Sequence, residues 1–130
     1  ADLARSLEAR LVLVHIVEPV ATYVPVGASM DVIAAAPPGP VETQDLSADE
    51  ARLRTLAQPL EAAGLKVECV ALVGLPVDDI LEQAAGYGAS YIVMGSHGHG
   101  ALYHLFSGSV VNGVLKRANC PVVVVPARKK

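Results

Sequence analysis

Aromatic side chains are almost missing from this chain: 130 residues hold four tyrosines, one phenylalanine and no tryptophan. Its apolar half therefore consists of valine, leucine, alanine and isoleucine, the filling expected where helices pack on a buried parallel sheet. Cysteine is scarce too. Cys69 and Cys120 are too few and too far apart for a disulfide framework or a zinc site. Both fall in or beside expected strands and read as buried free thiols, which suits a reducing cytoplasm. Excess positive charge is absent. A net charge of −3 supplies no basic field to neutralise a nucleic-acid backbone, and the tail Arg128-Lys129-Lys130 is too short to change this. No apolar run reaches the roughly 18 residues of a membrane span, and no signal-peptide pattern opens the chain.

What is present reads as one domain, residues 1 to 130, long enough to bury a core. Ala1 to Glu8 has helical composition and runs into a strand-like segment from Arg10 to Glu18, ended by Pro19. Residues 19 to 46 carry five prolines and no strong periodicity, a long loop of the kind that is functional or disordered. Ser47 and Glu50 have capping-box spacing, which predicts a helix to about Ala63 with Leu53, Leu56, Leu60 and Ala63 on one face. Pro59 is expected to kink it and Gly64 to stop it. A strand over Leu65 to Val73 follows. Gly74-Leu75-Pro76 then turns into a helix from about Val77 to Ala85, with Asp78 and Asp79 complementing its dipole. A short strand, Tyr91 to Met94, a helix from Ser109 to Ala118 and a strand from Val122 to Val125 complete the order. Strands alternating with helices at this spacing predict an α/β fold: an open parallel sheet with helices on both faces.

Chemistry concentrates in Met94-Gly95-Ser96-His97-Gly98-His99-Gly100 and in Gly108-Ser109-Val110-Val111. The segment starts where a strand ends and finishes where a helix begins, the place where open parallel sheets bind ligands. Gly95 and Gly98 let backbone amides approach an anion, and the free N–H groups of the helix opened by Ser109 favour phosphate. Composition alone leaves phosphate binding and a plain turn-rich connector equally open. Neither a GxxxxGK[ST] loop nor an early dinucleotide fingerprint is present.

The spacing Gly95-x2-Gly98-x9-Gly108-Ser109 matches the G-2x-G-9x-G-(S/T) nucleotide motif of the universal stress proteins that bind ATP. Val93-Met94-Gly95-Ser96-His97-Gly98, the run from Gly108 to Val114, Asn119 to Pro126, Val14 to Glu18 and Gly74-Leu75-Pro76 also resemble that family. The resemblance covers nearly the whole chain and is weakest over residues 19 to 46. It implies the flavodoxin-like strand order 3-2-1-4-5 and ATP, with or without Mg, as the ligand. Gly95, Gly98, Gly108 and Ser109 would surround the phosphates and ribose, with Ser96 and His97 in the same loop. Met94 would line the pocket floor, Val110 would add a helix-terminal amide, and Ile16 or Val17 would meet adenine through the backbone. The last strand would pair with its copy in a homodimer. The family's first strand, with its aspartate and Gly-Ser turn, has no counterpart in the 130 residues, so the expected sheet lacks its centre.

Other features read more plainly. His97, His99 and His104, with His15, lack the converging carboxylates of a metal site, and His15 reads as a satisfied core histidine. Ser96 and Ser109 have neither a Gly-x-Ser-x-Gly frame nor a placeable acid partner, so a binding module is favoured over a catalyst. Lys116 and Arg117 suit the end of their helix. Tyr103, Leu105 and Phe106 pack under the loop or face an unidentified protein partner. A nucleotide-free partner-binding module is the alternative reading. An ATP-dependent activating enzyme is disfavoured, because its Ser-Gly-Gly loop has no counterpart here.

Overall fold

The computed structural model describes residues 1–19, 44–96 and 109–126. They form two units, Ala1–Val73 and Gly74–Lys130. The first contains helix α1 (Asp2–Ser6), strand β1 (Leu11–Val17), helix α2 (Ser47–Ala62) and strand β2 (Val67–Val73). The second contains α3 (Pro76–Gly86), β3 (Ile92–Gly95), α4 (Ser109–Arg117) and β4 (Val122–Val125). The expected alternation of strands and helices is therefore present, with ends moved by a residue or two. Most of the expected long loop, residues 20–43, lies outside the described residues.

In the first unit, α2 begins differently from its capping-box pattern. Ser47 is already helical, Leu46 is the cap residue, and no cap side chain bonds the helix. Instead Asp45 Oδ1 accepts the Ser47 N–H at 2.9 Å. Asp45 thus takes the Ser47 N–H that the Glu50 side chain would hold in a capping box, and the Glu50 N–H goes to the Leu46 carbonyl at 2.9 Å. The buried stripe also differs. Leu53 and Ala57 are buried and Leu60 is half-buried, whereas Leu56 is 57% exposed. At 3.6 residues per turn, Leu56 lies about 60° round the helix from Leu53, whereas Ala57 and Leu60 stay within about 40°. The helix continues through Pro59 to Ala62. It stops at Gly64, whose φ of +84° is left-handed backbone, and the Leu65 N–H reaches back to the Leu60 carbonyl at 3.1 Å.

β1 and β2 pair in parallel, with Leu11 opposite Val67 and Val17 opposite Val73. The Leu11 N–H donates to the Lys66 carbonyl at 2.8 Å. Alternation along the ladder then directs the backbone groups of Glu68, Val70 and Leu72 at β1, and those of Val67, Cys69 and Ala71 outward. On β1 the outward set is Val12, Val14 and Ile16. Odd-numbered side chains face α2, as the contact between His15 Nε2 and Asp49 Oδ1 at 3.3 Å shows. His15 is therefore an exposed strand residue held by the first turn of α2, not the core histidine expected. The opposite face starts with a pair between Arg10 and Glu68 at 3.1 Å.

The second unit follows the same plan. β3 and β4 pair in parallel from Ile92 opposite Val122 to Gly95 opposite Val125. Ile92 is buried while its neighbour Val93 is 57% exposed, so one face of this pair is covered and the other is not. Pro76 occupies the first turn of α3, where its missing N–H has no helical partner to lose. α4 packs on α3 at Gly113, where a Cβ would stand 2.7 Å from Val77 Cγ2, and the next residue, Val114, is fully buried. Arg117 Nη1 meets Asp78 Oδ1 at 2.7 Å, so the last turn of α4 is tied to the first turn of α3. Cys69 and Cys120 are free but only half-buried, which corrects the expectation of buried thiols: each lies at the margin of its strand pair.

Candidate functional site

Met94, Gly95 and Ser96 form the carboxyl end of β3. The Ser96 N–H donates to the Val125 carbonyl at 2.8 Å and the Ile92 N–H to the Pro121 carbonyl at 3.0 Å. Even-numbered residues of β3 thus spend their backbone groups on β4, and those of Val93 and Gly95 point to the free edge. Gly95 is exposed and carries no side chain to shield that backbone. Met94 is half-buried and shares a face with the buried Ile92.

Ser109 opens α4 and Val110 follows it, half-buried. The first-turn N–H groups of such a helix have no intrahelical acceptor, and its dipole is positive at this end. Two contacts with α3 hold the helix in place, the close approach of Gly113 to Val77 and the Arg117–Asp78 pair, and Val114 anchors it by its burial. The second unit therefore supplies a strand end with an open backbone at Gly95 and a helix start at Ser109. His97, Gly98 and Gly108 lie outside the described residues, as do His99 and His104.

Ile16 and Val17 are at the carboxyl end of β1 in the first unit, both half-buried. Ladder alternation separates them. Val17 directs its backbone at β2, opposite Val73, whereas the N–H and C=O of Ile16 point away from β2. Of the two, Ile16 has the backbone groups that a planar base edge needs. No sequence signal distinguished them, because the choice depends on which β1 residues bond β2.

Two grooves of the first unit, one beside Arg54 and Cys69 and one beside Ala4 and Lys66, are lined by none of these residues. The carboxyl of Asp45, also elsewhere, is held below its usual range, chiefly by the Ser47 backbone N–H and then by its side chain. Among the described residues no three His, Cys, Asp or Glu side chains converge as a metal site would require. Among the same residues no helix is long and apolar enough to cross a membrane.

Comparison with known proteins bears on the whole chain. The family model described as "Universal stress protein family" matches residues 1–126. Universal stress protein A homolog 2 of Coxiella burnetii is 33% identical over 126 residues, covering 95% of this chain and 79% of its own length. Universal stress protein MJ0577 of Methanocaldococcus jannaschii is 38% identical over 74 residues, covering 57% of this chain and 46% of its own length. The chain therefore spans just under half of that archaeal relative in sequence. The solved MJ0577 structure superimposes with a TM-score of 0.70 at 27% identity, covering 94% of this chain and 78% of that one. With an α/β build of parallel strand pairs, a glycine-lined strand end and a family match over residues 1–126, this chain belongs to the universal stress protein family.

Proposed function

We propose that the protein binds ATP, or a related adenine nucleotide, and acts as a regulatory universal stress protein rather than as a catalyst. One observation carries the proposal. The spacing Gly95-x2-Gly98-x9-Gly108-Ser109 begins at the carboxyl end of β3 and ends on the first residue of α4. A strand end without side chains and a helix start are the two backbone elements that receive phosphate in open parallel sheets. Gly95, Gly98, Gly108 and Ser109 would surround the phosphates and ribose, with Ser96, His97 and Val110 beside them. Met94 would line the floor, and Ile16, in preference to Val17, would meet the adenine through its outward backbone. Mg would accompany the phosphates.

The two strand pairs support a particular sheet. Order 3-2-1-4-5 without its first strand leaves the neighbours 3-2 and 4-5, and β2–β1 and β3–β4 are such pairs. The exposed residues Val123, Val124 and Val125 support a homodimer through β4, and the cysteine content supports a cytoplasmic setting.

The test is calorimetric titration of the protein with ATP, beside Gly98→Val and Gly108→Val variants. A side chain at either position blocks close backbone approach, and affinity is expected to fall at least about tenfold. Equal binding by all three proteins would place the nucleotide elsewhere. No binding by any of them would favour the alternative, a nucleotide-free module that docks a protein partner.

A further inference from the structure

The outer side of the first unit carries a feature that the nucleotide reading does not use. β2 pairs with β1 alone among the described residues, so among these residues the outward backbone groups of Val67, Cys69 and Ala71 have no strand partner. Its own sequence lacks most of the usual protections. From Val67 to Val73 it contains no proline, no lysine and one charge, Glu68, which is paired with Arg10. Helix α2 leans beyond it. Asp49 reaches β1 through His15, so the opposite flank of α2, at Arg54, Ala57, Gln58 and Glu61, overhangs the far side of β2. Between that flank and the side chains of Val67 and Cys69 lies a groove of about 430 Å³.

We propose that this groove receives an extended peptide segment of a partner protein, added as a strand to the free edge of β2. Main-chain bonds to Val67, Cys69 and Ala71 would supply affinity, and the side chains beneath α2 would supply selectivity. The rim specifies charge. Arg54 and Glu61 are exposed and stand seven residues apart on one helix, about 10 Å along its axis. α2 returns into β2 through Gly64, so the two run antiparallel, with Arg54 toward the carboxyl end of β2 and Glu61 toward its start. A matching strand carries an acidic residue for Arg54 and a basic one for Glu61, four residues apart, with a small apolar residue between them over Val67 and Cys69. Four strand residues span about 13 Å, and flexible side chains take up the remainder.

The probe is the blocked heptapeptide TETVTKT at millimolar concentration, with the uncharged TQTVTQT as control, added to the 130-residue chain. Amide hydrogen exchange at Val67, Cys69 and Ala71 is expected to slow at least about threefold with the charged peptide. Exchange at Val12, Val14 and Ile16, on the other edge of the pair, is expected to stay unchanged. Arg54→Glu should weaken binding at least about fivefold while leaving exchange of the buried Ala57 amide intact, which separates lost contact from lost folding. The proposal is overturned by equal protection from both peptides, by no protection, or by an Arg54→Glu affinity equal to the parent's. Slow exchange of the same amides before peptide is added would show the edge already covered. Protection that grows with protein concentration alone would assign the groove to a second copy of the chain. Both outcomes reject a peptide partner.

Discussion

Gly64 and Gly86 both end helices, but only one of them needs to be glycine. Gly64 has φ +84°, with open space where a Cβ would stand, so any penalty for a side chain there is conformational. Gly64→Ala should lose about 1–2 kcal/mol, the cost of left-handed backbone for an L residue. Gly86 is the last residue of α3 and also has open space. Gly86→Ala should be neutral or stabilise by up to about 1 kcal/mol through helix propensity. Urea denaturation of the two variants beside the parent checks both signs, and two equal losses would contradict the distinction. The stop at Gly64 was legible in the sequence because one residue type solves one backbone problem. His15 was not. Its strand composition argued for a core residue, and only the position of Asp49 on α2 shows it to be an exposed partner.

At the scale of elements, the start of α2 depends on Asp45. The Ser47 backbone N–H, and then its side chain, hold the Asp45 carboxyl below its usual range. Since the folded-state pKa is the lower one, the stabilisation is fully present above the unfolded value near 3.8. It is lost as pH falls through the folded value. Asp45→Ala should therefore be less stable than the parent at pH 7, and the gap between their urea midpoints should close below about pH 4. A gap that does not narrow at all as pH falls below about 4 would assign the effect to something other than the carboxylate. The Ser47/Glu50 pattern located this helix to within a residue at each end, yet for the wrong reason, because a turn formed upstream competes with the capping box for the Ser47 N–H. The α3–α4 pair shows a related limit. Asp78 and Arg117 each looked like a dipole partner of its own helix, and their mutual contact at 2.7 Å joins residues 39 apart. Local pattern cannot report such a pairing.

For the whole molecule, alternating apolar strands and helices were enough to read an α/β build with parallel pairing, because burial on both faces leaves a compositional trace. Which edges remain open leaves none. The glycine spacing was legible as a candidate site, but the direction of each backbone was not. Ladder alternation is what separates Ile16 from Val17 and leaves Gly95 facing away from β4. The same alternation makes the proposed dimer testable by one atom. β4 bonds β3 through Pro121 and Val125, and by register through Val123, so the N–H of Val124 points to the outer edge. Val124→Pro deletes that N–H while sparing the β3–β4 ladder, and proline is tolerated on an edge strand. If β4 pairs with its copy, the intact protein should sediment as a dimer and Val124→Pro as a monomer with an unchanged far-ultraviolet spectrum. Val123→Thr, which keeps every backbone donor, should remain dimeric. A parent that is monomeric at tens of micromolar, or a proline variant that stays dimeric, would remove β4 as the interface. The exposed valines at 123, 124 and 125 would then need another cover, since an apolar edge of this kind otherwise invites uncontrolled association.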